Sequence, residues 1–485
     1  MSPLALLLAL AAALSLAAAA PASAAVTPQP DTPFEQIISD RYLFAGQGSE
    51  CTSWQELYLL NAWSVVAAPL GGGMFPQGQE GAWMCAEVAA AQYAIVSFNV
   101  QTAEIVQLDN IAVQTPQDLL YSFPPSSSNV SSNIQAVVIS AKSLQLISLY
   151  GESMAHVDIE APYAAMPRSA VFVPSLGQNG VVYLGTDSGL HVIDIATQAI
   201  TYQLNNITES ISALAFGYTD TNQVVFIGSA THLRIHTLAN PEASIAERWR
   251  AEEVTALIDS AITSLVYDQA QNRLWIGYHE GATWFSPVVM ADGETHWAFW
   301  RLAGLVSDPG GYVAGLPFAE ISVLAAVDPA GGASDGRVWL GTPRAVMRFD
   351  ADAENAADRW RVFNSARYLP QRTALVNVSS VAVLPFSNPP VPNQAGNTVV
   401  AITNKGLAVL RSEFWTLQQK ALWYQSYMDQ PDRHSKYGLV ADCSTPVFGS
   451  TAECVKYSND NDGLWTAIYL RSVQRGMQGV RMCRS

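Results

Sequence analysis

Two aspartates one residue apart, Asp460 and Asp462 in Ser458-Asn-Asp-Asn-Asp-Gly463, have the spacing best suited to chemistry in this chain. Carboxylates that close could hold a calcium ion, or act as general acid and base on a glycosidic bond. Counted from Ser458, the twelfth position of a calcium loop is Tyr469, which offers no bidentate carboxylate, so no metal is assigned. The same Asn-Asp-Gly is also an ordinary turn that caps a following helix, and both readings stand at this point. His434, beside Arg433, could polarise or protonate a substrate as an auxiliary to the aspartates, or be a solvated cation at a helix end. Trp297 and Trp300, in Thr295-His-Trp-Ala-Phe-Trp300, fall outside the register of the other tryptophans. They are the candidates for an aromatic platform that stacks on a ligand.

Other chemistries are not written here. The chain carries no Gly-x-Ser-x-Gly, His-Glu-x-x-His, P-loop or dinucleotide fingerprint, so no cofactor is expected. Its formal charge of −16 would repel a polyanion, which argues against nucleic acid as a partner. The five cysteines match no zinc spacing. In an oxidising compartment the natural pairing is local, Cys51 with Cys85 and Cys443 with Cys454, leaving Cys483 odd.

That compartment is suggested by the start of the chain. Residues 1–24 carry no charged side chain; Leu4–Leu16 are apolar, and Ala22-Ser-Ala24 supplies the small residues of a cleavage site. This reads as a secretory signal peptide, with a retained signal anchor as the rival. No later run approaches 18 unbroken apolar residues, so no stable membrane span is expected after cleavage. Three glycosylation acceptors, Asn129-Val-Ser, Asn206-Ile-Thr and Asn377-Val-Ser, are compatible with export.

The elements that must position these residues come from a repeat. The phrase reads Val-Val-Tyr-Leu-Gly-Thr at 181–186, Val-Val-Phe-Ile-Gly-Ser at 224–229, Leu-Trp-Ile-Gly-Tyr at 274–278 and Val-Trp-Leu-Gly-Thr at 338–342. An entry strand belongs to each unit: Ile211-Ser-Ala-Leu, Ile262-Thr-Ser-Leu, Ile321-Ser-Val-Leu and Val378-Ser-Ser-Val. Its alternation of apolar and small polar residues has the period of a half-buried strand. A turn such as Asp187-Ser-Gly189 then leads to a third strand. The glycine is expected where a side chain would strike the next unit. Trp275 and Trp339, at strand positions, are expected to pack between units. Weaker copies lie at Ala94–Ser97, Val137–Ser140 and Val399–Ile402. Such a period predicts an all-β fold, a β-propeller of about seven blades, with a short C-terminal helical extension.

The pattern Ile-Ser/Thr-x-Leu, then Val-Trp-Leu-Gly-Thr, a glycine turn and a further strand resembles the propeller repeat of two-component regulators over residues ~130–412, best at Val181–Asp194. That resemblance implies an extracytoplasmic ligand-sensing ring, without the kinase segment of those sensors. Beyond it, Lys420-Ala421, Arg433-His434, Gly438-Leu-Val440 and Asn461-Asp-Gly-Leu-Trp-Thr466 resemble the opening of an α/α-toroid-like domain, truncated here. Thr416 with Gln419 makes a capping box before Leu417, Ala421, Tyr424 and Met428 at helical spacing, and Pro431 stops the helix.

The expected organisation is therefore a signal peptide over 1–24 and an N-terminal leader with a possible ring-closing strand over 25–84. A propeller over 85–411 and the helical extension over 412–485 follow. The expected function is a secreted ring binding an extracellular ligand or partner, a glycan among the candidates, through loops on one face. The alternative is a carbohydrate-active hydrolase or lyase, or its inactive remnant, with Asp460, Asp462 and His434 in the tail.

Overall fold

The computed structural model describes residues 34–45, 55–68, 81–108, 111, 113, 115, 119–122, 134–140, 143–148, 153–158, 167–173, 181–194, 199–203, 207, 209–219, 222–230, 232–237, 261–268, 271–279, 281–289, 295–302, 320–326, 337–350, 353, 359–364, 368–370, 376–384, 398–428, 435–436, 439–440, 442–444 and 455–457. The chain divides into two compact units, Ile37–Glu413 with Cys443–Val455, and Met1–Gln36 with Phe414–Asp442 and Lys456–Ser485.

The large unit is all-β. Its described strands fall into seven sheets of three to five strands, almost wholly antiparallel, taken in chain order. Sheet 1 holds Asn61–Ala67, Gly81–Ala89, Gln92–Asn99 and Ile105–Gln107; sheet 2 holds Leu119–Ser122, Ile134–Ile139, Ser143–Ser148 and Ser153–Asp158. Sheet 3 is Pro167–Val173, Val181–Thr186, Gly189–Asp194 and Ala199–Gln203; sheet 4 is Ile211–Thr219, Asn222–Ser229 and Leu233–Thr237. Sheet 5 has Ile262–Asp268, Arg273–Tyr278, Gly281–Val289 and Thr295–Leu302; sheet 6 has Val323–Ala326, Arg337–Gly341, Ala345–Asp350 and Trp360–Asn364. Sheet 7 joins Val378–Leu384, Thr398–Thr403 and Gly406–Trp415 to Phe34–Phe44 from the start of the chain, with Gln55–Leu57 added in parallel at the edge. The first sheet thus already occupies residues 61–107, and Ala94–Ser97 lie on its third strand rather than its second.

Neighbourhood follows chain order. The first strand of every sheet lies against the first strand of the next, and Val378–Leu384 of sheet 7 lies against Asn61–Ala67 of sheet 1. Apolar layers fill the spaces between sheets 1 and 2, 3 and 4, 4 and 5, 5 and 6, 6 and 7, and 7 and 1. One ladder position supplies a wedge in every sheet: Trp83, Val137, Tyr183, Phe226, Trp275, Trp339 and Val400 are all buried. Trp275 and Trp339, 1% exposed, pack between sheets as the strand register implied. Burial also pushes the Tyr183 phenol up to about 12.

The repeated glycine is where the next sheet comes closest. A Cβ on Gly185 would stand 2.6 Å from Cγ2 of Ile211, on Gly228 2.9 Å from Cγ2 of Ile262, and on Gly277 3.0 Å from Cγ2 of Ile321. Sheet 7 has Ile402 at this place, and the facing residue of sheet 1 shrinks to Ala62 in the same buried layer. Volume is exchanged across the interface, so the packing survives without glycine.

In the small unit the helix Leu417–Met428 has the expected reciprocal cap: Gln419 N–H donates to Thr416 Oγ1 at 3.1 Å, and Thr416 N–H to Gln419 Oε1 at 2.7 Å. Of the expected apolar stripe, Leu417 is 42% exposed and Ala421 is also exposed. Trp423 packs on Trp415 instead, with ring centroids 5.5 Å apart. After the helix Ser435–Lys436 pairs with Leu439–Val440; the pair Asp442–Ser444 with Val455–Tyr457 runs across the bounds of the Cys443–Val455 segment of the large unit. No described helix is long and apolar enough to cross a membrane.

Candidate functional site

At one end of the described sheets the turns are tied by their own side chains. There the second strand turns into the third, and the closing residue of the repeat phrase ties the turn. Thr342 Oγ1 donates to Ala345 O at 2.9 Å and accepts from Ala345 N–H at 2.9 Å. Thr403 does the same with Gly406 at 2.8 and 3.1 Å, and Thr186 donates to Gly189 O at 3.0 Å. Ser229 holds His232 in the fourth such turn. These hydroxyls are buried, so each is satisfied by its own turn rather than by solvent. Gly189, at φ 125°, lies where a Cβ is not tolerated, which explains the glycine of Asp187-Ser-Gly189.

The Ser/Thr of the entry strands anchors the same end. Ser212 Oγ donates to Ile262 O of the next sheet at 2.6 Å, Thr263 Oγ1 to Ile321 O at 2.9 Å, and Ser322 Oγ to Val378 O at 2.7 Å. A second set runs through the following position. Leu214 N–H donates to Ser169 Oγ at 2.8 Å, Leu324 N–H to Ser264 Oγ at 3.1 Å, and Val65 N–H to Ser380 Oγ at 3.1 Å. The last of these links sheet 1 to sheet 7. These hydroxyls are inter-sheet staples.

What this end presents is polar. Asp187, Ser188, His279, Glu320, Arg344, Asn377 and Asn404 are exposed, and Glu209, His232 and Lys405 are half-buried. Asp187 pairs with Arg168 Nε, both well exposed, an ion pair of small worth. Glu209 accepts from His232 Nδ1 at 3.2 Å and lies 2.7 Å from Arg234 Nη2. A carboxylate–imidazole pair beside a serine has the composition of a nucleophilic site, but not its geometry. Ser229 Oγ is committed to the backbone of His232, and Arg234 also neutralises Glu209. The trio clamps the entry to sheet 4. Among the described residues no three His, Cys, Asp or Glu side chains converge as metal ligands would.

Of the residues singled out from the sequence, Asp460, Asp462 and His434 lie outside the described residues, as do Cys51, Cys454, Asn129 and Asn206. Trp297 and Trp300 stand on the outermost strand of sheet 5, in register with Pro287 and Trp284. Cys85 is buried in the second strand of sheet 1, and the described residues include no disulfide. Cys443 lies on a strand paired with the one that Cys454 immediately precedes. Asn377 is exposed at the start of sheet 7. Sequence reasoning passed over Arg344 and Lys405, although each follows the turn-closing threonine by two residues, a spacing that would have found them.

No protein-family model matches the chain, and no curated protein is significantly similar to it.

Proposed function

We propose that the seven sheets are the blades of a β-propeller of the two-component-regulator type, exported from the cell, whose turn end binds an extracellular ligand or partner. The reading is carried by one observation: first strands follow one another in cyclic order, stapled sheet to sheet by half-buried hydroxyls, with the polar turns gathered at one end. A rigid frame that presents short polar turns is suited to recognition, because the frame is ordered before the ligand arrives. Export agrees with the apolar leader, and with Asn377 standing exposed as an N-glycosylation acceptor.

Binding is tested by screening the full chain on a glycan array and against extracellular extracts. Any hit is then mapped with charge reversals at both ends. Asp187→Lys and Arg344→Glu on the turn end should weaken it about tenfold or more, while Arg273→Glu and Asp194→Lys at the opposite end leave it unchanged. Binding that follows the opposite end would overturn the proposal. The alternative, hydrolysis or elimination on a carbohydrate, rests on Asp460, Asp462 and His434 alone; turnover lost in Asp462→Asn would establish it.

A further inference from the structure

We propose that the sector of the turn end built by sheets 6 and 7 takes an acidic carbohydrate, a uronate or a sulfated sugar, with Arg344 and Lys405 supplying the cations and Tyr58 the stacking ring. This deepens the ring-binding reading above and rests on it.

Four backbone hydrogen bonds string the sector together. Val378 N–H donates to Thr342 O at 3.2 Å, which sets the Pro343-Arg344 turn beside Asn377. Asn404 N–H donates to Asn377 O at 3.1 Å, bringing up the Asn404-Lys405 turn. Phe44 N–H donates to Lys405 O at 3.2 Å, and Ala45 N–H to Leu59 O at 2.7 Å, which places Tyr58 next in line. Both turns are held by fully buried threonines, Thr342 and Thr403, so their tips are presented on a fixed base. A close backbone approach secures the junction: a Cβ on Gly406 would run into Tyr42 O.

Among the described turns of this end, those of sheets 6 and 7 carry the cations two residues after the closing threonine. A molecule of charge −16 places two cations at matching turn positions of adjacent sheets. Elsewhere on this end Asp187 and Glu209 are matched by Arg168, His232 and Arg234, while Glu320 stands exposed at the entry to sheet 6. Arg344 is exposed and can meet a carboxylate or sulfate with two parallel N–H bonds. The exposed amides of Asn377 and Asn404 both donate and accept, as sugar hydroxyls require. Tyr58 is 94% exposed, a large ring left in water at the edge of a well-packed layer. An aromatic face covers the C–H face of a pyranose well. One open ring among amides and cations suits a hydroxylated, anionic ring better than a peptide, whose side chains need separate apolar pockets. The overall negative field opposes general adhesion to polyanions, so any such binding reports a local site.

The test is affinity electrophoresis of the full chain carrying Ser379→Ala, which abolishes the acceptor sequence while keeping the Asn377 amide, so that no glycan stands in the sector, through gels of polygalacturonate, dextran sulfate or neutral dextran. Retardation by one or both anionic polymers is expected, fading as salt rises, with the two arms separating carboxylate from sulfate. Arg344→Glu and Lys405→Glu should each weaken it about tenfold, and Tyr58→Ala severalfold. Arg344→Gln and Lys405→Gln give smaller losses in the same order and guard against a reversal that disturbs folding. Retention that survives both reversals, absence of retention by either anionic polymer, or equal charge-dependent retention by polyglutamate overturns the inference. A neutral glycan bound through the turn end would sink this inference and leave the ring-binding reading standing; no binding at that end by any ligand would sink both.

Discussion

Gly185→Ala offers a sharp test of how the sheets meet. Its backbone is not in the left-handed region, so alanine can adopt it, and replacing glycine in a strand returns about 0.5–1 kcal/mol of chain entropy. Against this, the new methyl would sit 2.6 Å from Cγ2, 2.9 Å from Cβ and 3.3 Å from the carbonyl oxygen of Ile211. Neither Cβ nor carbonyl can swing away, so the neighbouring sheet must shift, at the upper part of the 1–3 kcal/mol range for overpacking. A net loss of about 2 kcal/mol is expected. Gly277→Ala is the internal control, because its closest contacts are 3.0 Å to Cγ2 of Ile321 and 3.4 Å to Leu324, and its net effect should be near zero. Equilibrium unfolding in urea, followed by tryptophan fluorescence, measures both. Ile211→Ala removes the clashing methyl. In that background the Cβ at 2.9 Å remains, so Gly185→Ala should cost clearly less than it does alone, a coupling of about 1 kcal/mol where independent sites would add. Equal stability of Gly185→Ala and wild type, or additivity with Ile211→Ala, refutes the geometry.

Two further predictions concern buried polar groups. Ser380→Ala removes the acceptor for the Val65 amide, 3.1 Å away, and leaves that N–H in the layer between sheets 7 and 1. A loss of about 1–3 kcal/mol in urea unfolding is expected, against little change for the exposed neighbour Ser379→Ala. His191 and His236 are both buried at 2% exposure, and desolvation lowers each below the ordinary value of 6.5. The unfolded chain therefore takes up protons first: stability is full above about pH 6.5 and falls as pH drops toward the depressed native values, by up to about 2.7 kcal/mol per pH unit for the pair. His191→Leu with His236→Leu should flatten the dependence of the urea midpoint between pH 6.5 and 5, and an unchanged slope would count against the reading.

How much of this was legible depends on what each residue does alone. The glycine of the repeat phrase could be read, because a missing Cβ has few causes in a strand and a clash with the next sheet is one of them. The wedge tryptophans could be read from strand register, and the Thr416–Gln419 cap from its spacing, since both are local rules. The staples could not. Ser212 and Ser322 stand one position before the place of Ser380, so alternation cannot give all three one role, and only the approach of a neighbouring sheet makes each a half-buried, bonded hydroxyl. The exchange between Ile402 and Ala62 was hidden for the same reason: neither residue is unusual until the two are seen in one layer. The exposed Leu417 and Ala421 show the converse error, in which helical spacing is present but nothing described covers the stripe. The candidate binding sector belongs with the staples. Arg344, Asn377, Lys405 and Tyr58 come from four separate segments, and only backbone bonds between turns bring them onto one edge. A repeat fold makes its frame readable through what recurs, and places its recognition chemistry in what does not, so the residues of such a site are found by asking which repeats depart from their neighbours at the turn tips.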